Sequence, residues 1–477
     1  MVLKPGSTRA VLLLLGSSGW RGEMMGAVDS GRDRFEEAYH ERDEGVAPPP
    51  PLAPSHGGFA LRGSVLTPDR ELPRGFVSVN PDGRIGAVGH RRPASVPVVD
   101  TDGVILPGLI DLHGHPSFNV FAPWEPPSTF ANRYQWRASD TYRRLIRDTQ
   151  NRLLGVLPVG TQERYAEVRA VVGGVTAIQG SSGREVTDSR SVVRHVDLPI
   201  FGAARARALI DLPFPATPAA DYLKSIVAQI AAGAVDAFYL HLAEGRPDDP
   251  VTAAEFDRLV SLGALTSATI VIHGTGLNRS QLGEMAAAGA KLVWSPQSNL
   301  RLYGVTTAAG DALSVGLPLA VGADWLPSGS LSLLAELRVA RRVLAQQGHP
   351  VSSQVLVEMV TSGAAAIAGL GDQLGSIEQG RPADLVVLER HREDPWLNVV
   401  EAEPSWVELV CVNGSPAYGR PDWLATIDRA RLEPATATGP SPEPVLAWGR
   451  PMLLTAPLTD LRTSLIAEYP QTGPIFA

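Results

Sequence analysis

The stretch Leu106-Pro-Gly-Leu-Ile-Asp-Leu-His-Gly-His115 decides how the middle of this 477-residue chain is interpreted. It overlaps an apolar run, Val104 to Ile110, in which polar and apolar residues do not alternate. That pattern is typical of a parallel strand buried on both faces. His113 and His115 follow two positions apart, so on an extended backbone their side chains point to the same side. The stretch therefore predicts a buried strand with two imidazoles at its carboxyl end.

Similar apolar runs recur along the chain and alternate with helical patterns. The further runs are Gly174 to Ile178, Phe238 to Leu242, Thr269 to Ile272, Lys291 to Trp294 and Leu317 to Gly322. The helical patterns are Ala219 to Ala231, Ala253 to Leu262, Ser280 to Ala288 and Leu331 to Ala345. Such alternation predicts an α/β fold, and the count favours a (β/α)8 TIM-like barrel over residues 107–374. The stretch between Gly174 and His241 is short for three units, so we expect one abbreviated unit.

Alternating patterns typical of antiparallel strands flank the barrel region on both sides. They include Leu61 to Leu66 and Arg84 to Val88 on one side and Val407 to Val412 on the other. We expect residues 58–106 and 375–435 to form together a small composite β-sandwich domain.

The two ends of the chain carry weaker signals. Residues 1–57 contain a charged stretch and a proline run, which predict a poorly ordered extension or tether. Residues 436–477 are rich in proline and predict a tail that wraps the surface. The short apolar start occurs in exported and in cytosolic proteins alike, and the sequence slightly favours the cytoplasm.

The composition excludes several classes of function. The chain has 42 Lys and Arg against 50 Asp and Glu and a net charge of −8 without a basic stripe, which argues against a nucleic-acid partner. No apolar run approaches the roughly 18–20 residues of a membrane-spanning helix. Cys411 is the only cysteine, so neither an intramolecular disulfide nor a cysteine-based zinc site is available. A bound metal would have to be held by His, Asp or Glu.

Three further candidate residues lie at the ends of predicted strands. His241 and His273 are about one βα unit apart, and Asp324 follows two units later. This spacing assigns them to strands five, six and eight. Because the carboxyl ends of barrel strands form one rim, we expect them to face the same mouth as His113 and His115. Four imidazoles and a carboxylate are suitable ligands for a divalent metal.

Together these segments resemble the metal-dependent amidohydrolase superfamily. The matching segments, in the order the family has them, are Leu106 to His115, Gly174 to Ala177, His241 to Glu244, Val271 to Gly274, Ser295 to Asn299, Gly322 to Asp324 and Gly375 to Val387. One branch of that superfamily bridges two metals with a carbamylated lysine on the fourth strand. Between Thr176 and His241 the only lysine is Lys224, which lies in a helical pattern. The chain therefore resembles the mononuclear branch, which includes cytosine-, guanine- and adenosylhomocysteine-type deaminases and triazine hydrolases.

The resemblance implies a role for each rim residue. One divalent ion, Zn²⁺ or else Fe²⁺, would be held by His113, His115, His241 and Asp324. Such an ion lowers the pKa of bound water towards about 7, so hydroxide is available at neutral pH. Glu244 would move the proton from this water to the departing nitrogen, and His273 and Asp324 would assist as catalytic residues.

Substrate recognition is expected in the loop after the first barrel strand. Residues 118–136 contain six aromatic side chains, which suggests a lid that stacks on a planar substrate. The alternative is that these rings only pack the loop onto the barrel. The predicted substrate-binding residues are Phe118, Asn119, Trp124, Arg133, Tyr134, Trp136 and Trp325.

The predicted function is hydrolysis of a C–N bond other than a linear peptide bond, by a metal-activated hydroxide. Deamination and ring-amide hydrolysis of a small planar nitrogenous substrate both fit this prediction. A binuclear amidase or peptidase is the alternative, and a catalytically silent assembly protein of the same fold is a third hypothesis. The expected partner is a small molecule, and the sequence does not exclude a homo-oligomer.

Overall fold

The computed structural model describes residues 52, 54, 56–181, 191–201, 205–432 and 442–476. Nearly all of the predicted N-terminal tether therefore lies outside the described residues. The strands in the described part of the chain are β1 (Phe59–Leu66), β2 (Glu71–Val79), β3 (Ile85–Gly89), β4 (Val98–Pro107), β5 (Leu109–Asp111), β6 (Val175–Ile178), β7 (Arg194–His195), β8 (Ala206–Leu209), β9 (Ala237–Leu242), β10 (Thr269–His273), β11 (Lys291–Trp294), β12 (Leu319–Val321), β13 (Leu385–Leu388), β14 (Val407–Val412), β15 (Ser415–Gly419), β16 (Glu443–Ala447) and β17 (Arg450–Leu454).

The helices lie mainly between the strands of the middle region. The α-helices are Arg133–Arg137, Asp140–Tyr142, Asp148–Val156, Thr161–Val172, Pro218–Ala231, Pro250–Ser261, Arg279–Ala287, Pro296–Tyr303, Ala309–Ser314, Leu333–Gln346, Ser353–Glu358, Ser362–Ile367, Pro395–Glu401, Pro421–Ile427, Arg429–Leu432 and Leu458–Glu468. Single turns of 3₁₀-helix occupy Pro116–Phe118 and Pro404–Trp406, and a π-helical turn occupies Arg143–Arg147. Within the described ranges, none of these helices is long and apolar enough to cross a membrane.

The four helices predicted for the middle region are all present, with bounds within three residues of the prediction. Each begins where a polar side chain accepts a main-chain N–H of its first turn, which satisfies a donor the helix itself cannot pair. The capping residues are Thr217, Asp249, Asn278 and Ser332. The helical periodicity and the capping signals therefore agree.

Eight parallel strands, β5 to β12, carry the middle region, which confirms the predicted α/β class. They form a three-stranded sheet in the order β5-β6-β7 and a five-stranded sheet in the order β12-β11-β10-β9-β8. A parallel bridge between Gly114 and Asp324 links the chain just beyond β5 to the chain just beyond β12. In this series His241 and His273 lie on the fifth and sixth strands, and Asp324 follows the eighth.

The abbreviated unit falls at the third and fourth strands. β7 has only two residues, Arg194 and His195, and β8 begins soon afterwards at Ala206. The described residues between β6 and β8 carry no helix. The periodicity of the sequence is weak here because a two-residue strand leaves almost no pattern to detect.

A nine-stranded sheet takes strands from both flanks of the middle region, in the order β16-β17-β15-β14-β13-β4-β1-β2-β3. The two flanks meet where β4 and β13 pair antiparallel, with Pro107 opposite Leu385 and Val104 opposite Leu388. Residues 98–107 thus belong to the flanking sheet, and β5 opens the parallel series two residues after β4 ends. The run Val104 to Ile110, predicted as one parallel strand, is therefore divided between β4 and β5, because Val104 to Pro107 pair with β13 instead. This junction holds the start of β5 beside the flanking sheet, where the Gly108 N–H donates to the Asp384 carbonyl at 2.9 Å, while His113 and His115 follow the other end of β5.

The C-terminal segment is more regular than the predicted tail. β16 and β17 form a hairpin whose two-residue turn, Trp448 and Gly449, has positive φ at both positions, as the right-handed twist of a tight hairpin favours. Pro444 and Pro451 lie on exposed positions of this edge hairpin, where a missing N–H is tolerated. The prolines therefore made the sequence look irregular, although β16 and β17 form there.

Candidate metal and catalytic site

Histidine and aspartate side chains converge at the carboxyl ends of the parallel strands. His113 Nε2 lies 3.2 Å from His241 Nε2 and 3.4 Å from Asp324 Oδ1. His115 Nε2 lies 3.6 Å from the same Asp324 oxygen. Two overlapping groups, His113 with His241 and His273, and His113 with His115 and Asp324, each bring their donor atoms within 4.8 Å of one another. The structure thus brings together all five predicted rim residues.

The chemistry of this donor set fits a divalent cation. Burial, reinforced by the neighbouring imidazoles, lowers the pKa of His113 and His241 well below the ordinary value, and burial brings that of His115 to about 3. These rings are therefore neutral and can donate lone pairs. Burial, followed by the nearby Glu244 charge, also raises the pKa of Asp324 well above its ordinary value. A divalent ion beside it would stabilise the ionised carboxylate.

A hydrogen bond to Ser295, the N-cap of the helix Pro296–Tyr303, orients His113 towards this centre. The Nδ1 atom of His113 lies 2.7 Å from the hydroxyl oxygen of Ser295. When Nδ1 carries the proton, Nε2 keeps its lone pair and faces His241. Such support from outside the ligand set commonly fixes the orientation and tautomer of metal-ligating histidines.

Asn299, on the same helix Pro296–Tyr303, determines the tautomer of His273. Asn299 donates from its amide nitrogen to Thr307 Oγ1 (3.2 Å), which leaves its Oδ1 to accept from His273 Nδ1 at 2.9 Å. Burial lowers the pKa of His273 to about 3, so the ring is neutral. With the proton on Nδ1, Nε2 is an acceptor, so it can accept a hydrogen bond from a water molecule at the site.

Glu244 completes the site. Its carboxylate is 4% exposed, with Oε2 at 3.6 Å from His273 Nε2 and Oε1 accepting a hydrogen bond of 2.5 Å from the Tyr303 hydroxyl. Burial raises the pKa of Glu244 to about 7, and the opposing effects of Arg133 and Tyr303 only moderate the rise. A carboxyl that titrates near neutrality can both take and give a proton at physiological pH.

The backbone at the site is held in an unusual conformation. Ala243, His273 and Asp324 have φ values of 49°, 70° and 63°, in the left-handed region that non-glycine residues rarely adopt. The Asp324 N–H donates to the His113 carbonyl at 2.8 Å, and Thr307 Oγ1 donates to the His273 carbonyl at 2.7 Å. These bonds fix the strained turns, as is common at functional sites.

Apart from Tyr134, the predicted aromatic residues form one continuous buried cluster that starts beside the site. The rings of Phe118 and Trp325 lie 6.3 and 6.4 Å from the His115 ring, and Trp325 lies 5.4 Å from Trp136. Trp124 continues the cluster at 6.4 Å from Trp136. The rings pack the loop after β5 onto the rest of the chain, and the part nearest His115 also borders the metal centre.

Asn119 has a role in joining two loops. Its Oδ1 accepts the main-chain N–H of Leu326 at 2.8 Å. The bond ties the loop after β5 to the loop after β12, which carries Asp324 and Trp325. Asn119 therefore fixes the relative position of two loops that border the site.

Arg133 and Tyr134 lie in a buried charge network. The Arg133 guanidinium donates to Asp211 Oδ1 at 2.9 Å and to Glu255 Oε2 at 3.1 Å, and the Tyr134 hydroxyl donates to Glu255 Oε1 at 2.8 Å. Arg133 is only 2% exposed. The predicted contact of these two side chains with a substrate is not supported by this geometry, because two carboxylates take their donors.

Sequence reasoning missed several residues of the site. Tyr303, Asp211 and Glu255 were not among the predicted residues, although each contacts or supports a predicted one. Tyr303 lies four residues after Asn299 and shares its face on the helix Pro296–Tyr303, but that helix was not predicted, so the only signal was the spacing itself. No comparable signal existed for Asp211 or Glu255, whose partners are far away along the chain.

The comparisons with known proteins agree with the resemblance seen in the sequence. The amidohydrolase family model matches residues 220–416. A 5-methylthioadenosine/S-adenosylhomocysteine deaminase from Moorella thermoacetica is 26% identical over 401 residues, which cover 75% of this chain and 93% of the relative. The resemblance to the metal-dependent amidohydrolases is thus confirmed, and with it the prediction of a hydrolase acting on C–N bonds.

Solved structures support the fold. A zinc-bound adenosine deaminase from Xanthomonas campestris superposes with a TM-score of 0.60 at 20% identity and covers 78% of this chain and 94% of that protein. A zinc complex of atrazine chlorohydrolase from Arthrobacter aurescens superposes with a TM-score of 0.59 at 18% identity and covers 75% of this chain and 95% of that protein.

Proposed function

We propose that the chain is a mononuclear metal-dependent deaminase of a planar nitrogen heterocycle, with its eight parallel strands closed as a TIM-like barrel and its flanking sheet folded as a small sandwich. The observation that carries the proposal is the position of Glu244. Its Oε2 faces His273 Nε2 at 3.6 Å beside the cluster of His113, His241 and Asp324. A proton carrier next to a cation site is the arrangement that hydrolytic loss of an amine requires.

The ligands of the single ion are His113, His115, His241 and Asp324, with Zn²⁺ as the preferred metal. When bound, the ion would polarise the attacking water and the ring carbon it attacks. The described lysines support a single ion because neither lies at the rim. Lys224 is exposed on the helix Pro218–Ala231 and pairs with Asp221, and Lys291 begins β11 at the opposite edge of the sheet.

The side chains of this chain carry the proton transfers. Glu244 Oε2 takes a proton from the attacking water and delivers it to the departing nitrogen. His273 Nε2 accepts a hydrogen bond from that water and so directs it, while Asn299 keeps the ring in the required tautomer. Asp324 holds a proton in the later steps.

The substrate class follows from the rings beside the metal centre. Phe118 and Trp325 flank His115, so a flat ring can stack there with its exocyclic amine towards Glu244. The deaminase names of the relatives favour an adenine-type amine over a ring amide. The loop aromatics further from His115 shape the loop itself.

Metal analysis and ammonia release together test the proposal. The purified chain is stripped of metal, reloaded with zinc and incubated with adenosine, 5-methylthioadenosine, S-adenosylhomocysteine, guanine and cytosine. We expect one zinc per chain and ammonia release from at least one purine. Two zinc ions per chain would refute the mononuclear centre, and a ring-opened product without ammonia would identify a ring-amide hydrolase. A folded chain that binds no metal would indicate the silent assembly protein.

A further inference from the structure

Three side chains of one short segment each hold a different residue of the site. Ser295, Asn299 and Tyr303 are spaced by four residues along the helix Pro296–Tyr303 and its N-cap, so they lie on one helical face. Ser295 binds His113 Nδ1 at 2.7 Å, and Asn299 binds His273 Nδ1 at 2.9 Å. Tyr303 binds Glu244. A single helix therefore orients a proposed metal ligand, the histidine that accepts from water, and the proposed proton carrier.

The direction of the hydrogen bond between Tyr303 and Glu244 is fixed by its surroundings. Tyr303 is fully buried, and the Trp136 indole N–H donates to the Tyr303 hydroxyl oxygen at 2.8 Å. Burial, followed by the Glu244 charge, raises the pKa of Tyr303 well above its ordinary value, so the hydroxyl keeps its proton. Tyr303 therefore accepts from Trp136 and donates to Glu244 Oε1.

The loop after β5 contacts Glu244 a second time, through the main chain. The Arg133 N–H donates to the Glu244 carbonyl at 3.1 Å, and Asn132 forms an antiparallel bridge with Gly245. Trp136 belongs to the same short helix as Arg133. The helix Arg133–Arg137 thus holds both the backbone of Glu244 and, through Tyr303, its carboxylate.

We propose that Tyr303 is a positioning residue that holds Glu244 Oε1, so that Oε2 alone faces His273 and the reacting groups. Through Trp136, this orientation depends on how the loop after β5 packs. The proposal rests on the proposed function, because it assumes that Glu244 carries the proton. It adds a connection between the loop that covers the site and the group that performs the proton transfer.

The contact itself can be tested without activity. In protein labelled with ¹⁵N-tryptophan, the indole N–H signal of Trp136 is assigned by its absence from the Trp136→Phe variant. We expect Tyr303→Phe to shift this signal upfield, because the indole loses its acceptor, and to leave the zinc content at one per chain. Tyr165→Phe is the matched control, since that buried hydroxyl bonds the Gly473 carbonyl at 2.7 Å. An unmoved Trp136 signal in Tyr303→Phe would refute the contact.

The catalytic consequence is tested by separating kcat from KM. Loss of one hydrogen bond to a charged group predicts a drop of about 10- to 100-fold in the kcat of Tyr303→Phe, with KM within about twofold of wild type. Tyr165→Phe should keep the wild-type values. A Tyr303→Phe variant with wild-type kcat would overturn the positioning role alone. A zinc-loaded wild type without turnover on any substrate would instead overturn the proposed function.

Discussion

Gly322 lies directly against His113: a Cβ at position 322 would stand 2.6 Å from the His113 Cβ and 2.9 Å from the His113 nitrogen. Both chain segments are fixed here, because the Gly322 N–H donates to the Trp294 carbonyl at 3.0 Å and the Asp324 N–H donates to His113. Any side chain at position 322 must therefore displace the first histidine of the His-x-His pair.

We expect Gly322→Ala to weaken zinc binding by about 10- to 100-fold, similar to the loss of a group that orients a ligand. Competition with a chelating indicator measures the affinity. Gly283→Ala is the control, because no atom lies within 4 Å of the added Cβ on the helix Arg279–Ala287. Equal zinc affinity in the two variants would show that the close approach does not matter.

Replacement of the proton carrier should separate binding from turnover. We expect Glu244→Gln to keep one zinc per chain and to lose about 100-fold or more in kcat, the usual range for a general acid or base. Zinc content and ammonia release are measured on the same sample. Glu284→Gln, an exposed change of the same kind, should behave as wild type. Full activity in Glu244→Gln would remove Glu244 from the mechanism.

The buried charge network predicts a loss of stability rather than of substrate affinity. Glu255 is 1% exposed, accepts from the Arg133 guanidinium and also takes the Ala243 N–H at 2.7 Å. Glu255→Gln leaves the Arg133 charge poorly compensated, and we expect the free energy of unfolding to fall by about 3 kcal/mol. Urea denaturation monitored by tryptophan fluorescence provides the value. Unchanged stability together with a higher KM would restore Arg133 as a substrate ligand.

The same network should make stability sensitive to acid. Burial alone would raise the pKa of Asp211, but Arg137 and Arg133 outweigh it and hold that pKa below the ordinary value. The stabilisation is therefore complete above the unfolded-state pKa of about 4 and is lost as the pH falls below it. Between about pH 5 and pH 3 the wild type should lose more stability than Asp211→Asn. Asp221→Asn, at an exposed pair, should follow the wild type; identical pH curves for all three would contradict the assignment.

The rim residues could be predicted from the sequence because they depend on local patterns. His113 and His115 follow a recognisable buried run, and Asp324 follows another. Strand ends of a parallel sheet meet at one edge, so residues far apart in sequence could be placed together. The α/β class and the central helices followed from the same periodicities.

The supporting groups could not be predicted because their roles depend on tertiary partners. Arg133 was predicted to bind the substrate, but Asp211 and Glu255 accept from its guanidinium. β7 is too short to carry a periodic signal, and the prolines of β16 and β17 concealed an edge hairpin. In each case the missing information was a contact between distant segments.

The pairing of β4 with β13 also constrains how the chain can assemble during synthesis. β4 can pair with β1 early in synthesis. Its other edge pairs with β13, which is synthesised only after all the strands from β5 to β12. An unpaired edge of an apolar strand invites association with other chains. Its completion depends on contacts of very long sequence separation, which form slowly. During most of its translation the nascent protein therefore exposes a strand edge that can pair with other chains. We expect the yield of folded protein to rise when a chaperone shields that edge.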